Sequence, residues 1–140
     1  MLGASRIFLR ELEHCIAAHQ DFAIETTLAG RGYLQLVQRL RANDWRVELI
    51  YLALPSLQMS KLRVAERVVH GGHNIPASDL ERRFARSLRH LLNDFSYQVN
   101  NCTCIMNGGE RSELVFEQSG NNRNIIHAEY YQHLMKEATQ

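Results

Sequence analysis

Proline is scarce in this sequence, with 2 residues among 140, and no stretch is rich in proline, glycine or serine. This scarcity excludes flexible linkers of such composition, so we expect residues 1–140 to form a single domain. Cysteine is scarce as well: the 3 cysteines are an odd number, and Cys102 and Cys104 share one short run. That pattern excludes a disulfide framework and favours a reducing, cytoplasmic location.

An excess of charge of either sign is also lacking, because 16 Lys and Arg residues against 15 Asp and Glu residues leave a net charge of +1. This balance argues against a general nucleic-acid or membrane surface, so we expect neither as a partner. The longest apolar run, 49–54, is too short to span a bilayer, and the first residues contain no apolar signal core. A hydrophobic content of 45% with 22% charged residues is typical of a globular domain.

The hydrophobic periodicity predicts an α/β domain in which helices and strands alternate. The succession of strand, helix and strand over 22–54 is typical of a βαβ unit, whose strands run parallel. The nearly continuous apolar run within 45–54 is typical of a strand covered on both faces. The predicted strands are 22–27, 45–54, 102–106 and 112–118, the predicted helices are 5–19, 31–42, 57–70, 79–93 and 124–138, and 119–124 is predicted as a polar loop.

Arginines recur at helical spacing in the predicted helices on either side of the Gly71-Gly72 pair. They are Arg63, Arg67, Arg82, Arg83, Arg86 and Arg89. Two helices that present arginines across a glycine hinge could clamp phosphate groups, because the guanidinium binds phosphate oxygens bidentately. The alternative is a solvated charged face balanced by nearby carboxylates. The pattern alone leaves both interpretations open.

Glu25 and Thr26 end the predicted strand 22–27 and precede two glycines. Ligands of α/β proteins bind at the carboxyl ends of strands, where a carboxylate and a hydroxyl could hold a substrate. Both residues could equally be outward-facing strand residues. A metal site is not expected, because His70, His73 and the Cys102-x-Cys104 pair match no standard zinc spacing.

Four segments carry a resemblance to a known family: FAIETTLAGRGYL, VELIYLALPS, RVAERVVHGGHNIP and LERRFARSL. In this order, within about residues 5–109, they resemble the zeta-toxin-like P-loop kinases, in particular the bacterial branch described as predicted ABC-type ATPases. The resemblance implies a three-layer α/β/α domain with a mainly parallel sheet and a helical lid over 64–93. It also implies ATP and Mg²⁺ as cofactors and a nucleotide sugar as substrate.

The resemblance assigns roles to individual residues of this sequence. Glu25 and Thr26 match the substrate-binding motif. Arg67 and Arg82 or Arg83 match lid arginines that bind nucleotide phosphates. Asn107 alone matches the segment next to the nucleotide base. No residue is assigned to catalysis, because the first strand, the phosphate loop G-x-x-x-x-G-K-S/T and the acidic segment that follows it are not found.

These departures shape the expected function. We expect a truncated nucleotide-sugar kinase domain that is inactive alone, because the phosphate loop supplies most of the charge stabilisation in phosphoryl transfer. The alternative is a non-catalytic nucleotide-binding protein or a self-associating structural protein. Without the first strand, which is interior in the family's sheet, neighbouring strands would have an unpaired edge. We therefore expect a homo-oligomer, a separately encoded N-terminal half, or helices rearranged over the gap.

Overall fold

The computed structural model describes residues 2–55, 57–71, 76–108 and 111–139. The helices are α1 (Leu2–Ala17), α2 (Gly32–Ala42), α3 (Leu57–Val69), α4 (Ala77–His90), α5 (Ser96–Gln98) and α6 (Ala128–Ala138), and a π-helical turn (Leu91–Phe95) joins α4 to α5. The strands are β1 (Glu48–Ala53), β2 (Asn101–Asn107), β3 (Ser112–Ser119) and β4 (Asn122–Ile125). The predicted α/β class is confirmed. The predicted polar loop 119–124 is wrong in part, because it contains most of β4.

The strands form one sheet in the order β1-β2-β3-β4. β1 runs parallel to β2, with Glu48 opposite Asn101 and Ala53 opposite Met106. The other two pairs, β2 with β3 and β3 with β4, are antiparallel. The expectation of a mainly parallel sheet is therefore wrong. The connections from β2 to β3 and from β3 to β4 are short, and such connections join only antiparallel neighbours.

The predicted strand 22–27 is not part of the sheet. Its Phe22 ring lies 5.6 Å from the Trp45 ring, just before β1. The segment ends in a turn in which the hydroxyls of Thr26 and Thr27 accept backbone N–H groups two residues further on. Such local hydrogen bonds compete with strand pairing, which explains why this prediction is wrong.

The hydrophobic core lies on one face of the sheet. Cys102, Cys104 and Met106 of β2 are buried on that face. On the opposite face, Ile50 and Leu52 of β1 are 66% and 60% exposed. Within the part of the chain that the structure describes, the sheet is therefore covered on one side. The expected three-layer arrangement is wrong there, and two layers, helices on a sheet, describe the architecture.

The π-helical turn is held by Arg123 of β4. The Arg123 Nη2 atom donates to the Leu92 carbonyl at 2.8 Å and to Ser96 Oγ at 2.9 Å. Its guanidinium also lies 4.8 Å from the centre of the Phe116 ring and 5.8 Å from that of Tyr131. A π-helical turn departs from the regular hydrogen bonding of an α-helix. Here the Arg123 guanidinium donates to a backbone carbonyl within the turn. Arg123 thereby links β4 to the turn between α4 and α5.

Candidate functional site

A tight turn at Thr26–Leu28 is fastened to α4 by two side chains. Ser87 Oγ donates to the Thr27 carbonyl at 2.6 Å, and His90 Nδ1 donates to the Leu28 carbonyl at 2.6 Å. Both donors are buried, with 8% of each residue exposed. Because a carbonyl only accepts, His90 carries its proton on Nδ1 in this contact. The turn that follows Glu25 is thus fixed relative to α4.

The backbone of this turn is strained at Leu28. Leu28 has φ +57°, in the left-handed region that costs a branched residue about 1–2 kcal/mol. Its side chain is only 2% exposed and belongs to the core cluster. Thr26 Oγ1 accepts the Leu28 N–H at 3.3 Å, which leaves the hydroxyl proton of Thr26 available to a ligand. Strain that is held by so many contacts is typical of functional turns.

Arg83 lies on the helix face that holds this turn. Arg83, Ser87 and His90 occupy positions i, i+4 and i+7 of α4, and residues at these spacings share one face. Arg83 is exposed, so its guanidinium is free to meet a ligand. Helical spacing therefore puts Arg83 on the face of α4 that holds the Thr26 turn, although Arg83 does not line the cleft that Thr26 lines. Glu25, also exposed, is the residue before the turn.

A cleft of about 880 Å³ lies between α1, the turn and α2. Thr26 contributes to its wall, and the ion pair between Glu13 of α1 and Arg39 of α2 bridges the two helices with contacts of 2.9 and 2.8 Å. The hydrogen bond from Arg39 lowers the pKa of Glu13. The volume is typical of small-molecule sites. The remaining lining residues are Phe8, Leu9, Leu12, Gly30, Gly32, Tyr33, Gln35 and Leu36.

Arg82 lies in a different place from Thr26. It lines a groove of about 430 Å³ beside α6, together with Arg86 and Arg89. Arg82 also pairs with Asp79 one turn earlier on α4, and Arg89 donates to the Ala138 carbonyl. These contacts occupy two of the three guanidinium groups. The structure therefore separates Arg82 from the cleft that Thr26 lines, and Arg83 lines neither the cleft nor the groove.

The two remaining predicted site residues, Arg67 and Asn107, line neither the cleft nor the groove. Arg67 is exposed on the last turn of α3. Asn107 ends β2 and is half-buried. A β-carbon added at the next residue, Gly108, would lie 3.3 Å from Pro55 Cγ, so the ends of β1 and β2 approach closely. His133 of α6 donates to the Pro55 carbonyl at the same edge.

The predicted lid and hinge fall partly outside the described residues. The 64–93 region contains the end of α3 and the whole of α4. Gly72 and His73, together with the rest of 72–75, are outside the described ranges. Among the residues that the structure describes, no group of three or more His, Cys, Asp or Glu side chains could hold a metal ion. In those same ranges no helix is long and apolar enough to cross a membrane.

Burial keeps several titratable groups of the core in their neutral forms. It raises the pKa of the Tyr51 hydroxyl to about 12, and that hydroxyl lies 2.8 Å from Ser87 Oγ. Burial likewise raises the pKa of Cys102 to about 11 and that of Cys104 to about 12. Protonated thiols are poor nucleophiles and poor metal ligands, so these cysteines pack as small apolar residues.

Sequence reasoning missed Ser87, His90 and the Glu13–Arg39 pair. Ser87 and His90 interrupt the apolar positions of α4 at i and i+3, and polar residues on a buried face need hydrogen-bond partners. That signal was available in the sequence. The pairing of Glu13 with Arg39 was not, because it depends on how α1 and α2 pack.

Among known proteins, this chain has a distant relative but no matching family model or solved structure. No protein-family model matches the chain. No solved structure matches it. The chain is similar to an uncharacterized protein of Haemophilus influenzae, with 26% identity over 83 residues, 59% of either chain. The chain thus spans about three-fifths of the length of that relative in the match.

Proposed function

We propose that this chain forms the substrate-binding and lid half of a nucleotide-dependent small-molecule kinase, and that it does not transfer phosphate by itself. The observation that carries the proposal is the strained Thr26–Leu28 turn, fastened by Ser87 and His90 to the face of α4 that bears Arg83. The proposed ligand is a nucleotide or nucleotide sugar, with ATP and Mg²⁺ as cofactors and the cytoplasm as location.

Each group at this turn has a chemical role in the proposal. The Glu25 carboxylate accepts, and the Thr26 hydroxyl donates, hydrogen bonds to hydroxyls of the sugar. The Arg83 guanidinium binds phosphate oxygens through its planar donor fork. Arg67 reaches the nucleotide from α3. Arg82 lies in the groove beside α6, away from this turn, so the proposal assigns it no contact with the nucleotide. Asn107 contacts the base. These groups bind and orient; none activates the attacking hydroxyl.

Binding without transfer follows from the chemistry of phosphoryl groups. Transfer depends on backbone N–H groups, a lysine and a metal ligand that surround the γ-phosphate and stabilise its charge. The sequence contains no phosphate loop of the required form. Moreover, β1 and β2 are paired along their whole length, so no space between them is open for a further strand. An element from another chain would have to bind elsewhere or separate this pair.

A second candidate is a non-catalytic binding protein for a small, largely apolar molecule. The cleft of about 880 Å³ between α1 and α2 favours it, because its walls are formed mainly by aliphatic and aromatic side chains. In this alternative Thr26 and Arg39 orient the ligand, and the arginines of α4 are a solvated surface.

Calorimetric titration separates the two candidates. We expect ATP with Mg²⁺, or UDP-N-acetylglucosamine, to bind the unmodified chain and to bind at least about tenfold more weakly to Arg83→Ala, since charge-assisted hydrogen bonds contribute about 1.5–3 kcal/mol. Arg86→Ala is the matched control, because Arg86 is an exposed arginine of the same helix that lines the α6 groove. No phosphate transfer is expected in the same samples.

Other outcomes would reject the proposal. Equal losses in Arg83→Ala and Arg86→Ala would indicate nonspecific attraction of anions to α4. Absence of any nucleotide binding, with binding of an apolar probe that Leu36→Asn abolishes, would support the second candidate. Leu36 lines the cleft and is not among the core residues.

A further inference from the structure

The uncovered face of the sheet carries an apolar band. Leu52 lies opposite Ile105, and Ile105 lies opposite Leu114, so these side chains form one row across three strands. Ile50 lies next to this row on β1. Ile50 and Leu52 are mostly exposed, and Ile105 and Leu114 are half-buried. We call these four residues the apolar band.

Polar residues border the band on both sides. The side toward the start of β1 carries Glu48, Asn101 and Glu117. The side toward the end of β2 carries Asn107 and Ser112, and Arg111 directly precedes Ser112. An apolar centre with a polar rim is the usual composition of a protein–protein interface.

We propose that the apolar band is the contact between two copies of this chain, which pack sheet against sheet around a twofold axis parallel to the Leu52–Ile105–Leu114 row. This axis places the row of one copy on the row of the other. It reverses the strand direction, so each strand crosses the same strand of the second copy, as in an aligned β-sandwich. A contact of this kind is self-complementary, which closed dimers require.

Charge favours a second copy as the occupant. Glu117 and Ser112 lie on β3 on opposite sides of Leu114. The twofold rotation therefore brings Glu117 of each copy over the start of β3 in the other, next to Arg111, and forms two equivalent attractive pairs. The net charge of the chain is only +1, so two copies do not repel each other as whole molecules.

The area of the uncovered sheet face sets the expected strength of the proposed dimer. Four strands about 4.8 Å apart and about 20 Å long offer a planar face of roughly 400 Å² per copy. A stable interface of standard size buries about 800 Å² per partner. The proposed dimer is therefore weak and dissociates on dilution.

Sedimentation equilibrium over a wide concentration range tests the proposal on the full chain. We expect a monomer–dimer equilibrium that Leu52→Lys weakens by about thirtyfold or more, because each dimer contains two copies of the change. Val69→Lys is the matched control: Val69 is an aliphatic residue, 81% exposed, on α3 and outside the band. It should leave the dissociation constant within about twofold, the change expected for an exposed substitution outside the interface.

A charge exchange tests the orientation independently of the apolar contact. Glu117→Arg should weaken the dimer, and Arg111→Glu added to Glu117→Arg should restore it. A chain that stays monomeric at the highest concentration, or a dimer that Leu52→Lys and Val69→Lys affect equally, overturns the proposal. Dimerisation without rescue by the charge exchange rejects this twofold arrangement. A chain that is monomeric and only gains solubility from Leu52→Lys likewise overturns the proposal.

Discussion

Replacing Ser87 by alanine tests whether α4 holds the Thr26 turn. Ser87 Oγ donates to the Thr27 carbonyl at 2.6 Å and lies 2.8 Å from the Tyr51 hydroxyl. Since the single hydroxyl proton of Ser87 is used on Thr27, Tyr51 donates to Ser87. The substitution removes both hydrogen bonds at once and leaves a carbonyl and a phenol hydroxyl without partners.

The cost can be worked from these two groups. Leaving a buried polar group unpaired costs about 1–3 kcal/mol, and the turn is only partly buried, so Ser87→Ala should cost about 2–4 kcal/mol in all. With an unfolding entropy of ~2.1 cal/mol/K per residue, that corresponds to a fall in Tm of ~7–14 °C for a chain of this length. Tyr51→Phe removes one hydrogen bond and leaves Ser87 paired with Thr27, so it should cost about 1 kcal/mol.

Urea unfolding of the two single variants and the double variant provides the assay. The double variant should be less destabilised than the sum of the singles by about 1 kcal/mol, because the unpaired phenol hydroxyl is absent from it. A cost of Ser87→Ala below ~0.5 kcal/mol, or strict additivity, would refute the reasoning that Ser87 links Tyr51 to the turn.

Three further predictions concern the core. The unfolding free energy should begin to fall near pH 9, because burial raises the pKa of Cys102 and Cys104 and their thiols ionise first in the unfolded chain. Above about pH 10 the raised pKa of Tyr51 should steepen the fall by up to ~1.4 kcal/mol per pH unit. Tyr51→Phe should remove this added slope, and a profile that the substitution leaves unchanged would contradict the prediction. Cys15 should react with a thiol reagent at pH 8, whereas Cys102 and Cys104 should react only as the chain unfolds. Mass spectrometry of the labelled peptides can check this. Equal labelling of all three cysteines would contradict the burial of the β2 thiols. Arg123→Lys should lower the unfolding free energy by about 2–4 kcal/mol, because a lysine cannot donate to Gln118, Leu92 and Ser96 together. Urea titration measures this change. A change near zero would show that the π-helical turn is held by its own packing.

The helices and three of the four strands could be predicted from hydrophobic periodicity, because burial on one face leaves a regular pattern in the sequence. The apolar run of β1 is typical of a strand covered on both faces, yet Ile50 and Leu52 are exposed. Composition does not distinguish a covered face from an apolar face that is left open. The error at 22–27 has a local cause, since the Thr26 and Thr27 hydroxyls bond to their own backbone.

The candidate site could be predicted only in part. The place of Thr26 after an apolar run predicts a ligand contact, and the structure puts Thr26 on a strained turn and in the wall of the cleft. The separation of Arg82 from Arg83 could not be foreseen, because neighbouring residues of a helix point about 100° apart and only the packing of α4 decides which faces the turn. The cleft depends on the spacing of α1 and α2, which no local pattern encodes.

The parallel ladder between β1 and β2 has a consequence for the order of folding. Val47 and Asn100, which bond at its start, are 53 residues apart in sequence, whereas β2, β3 and β4 are joined by short turns. Closing a long loop costs more chain entropy than closing a hairpin, so the hairpins should form early and β1 should dock late. Substitutions in β1 should then mainly accelerate unfolding, and those in β2–β4 should slow folding. The N-terminal part of the molecule, which carries the Thr26 turn, is by this argument the last to be secured and the first to be released.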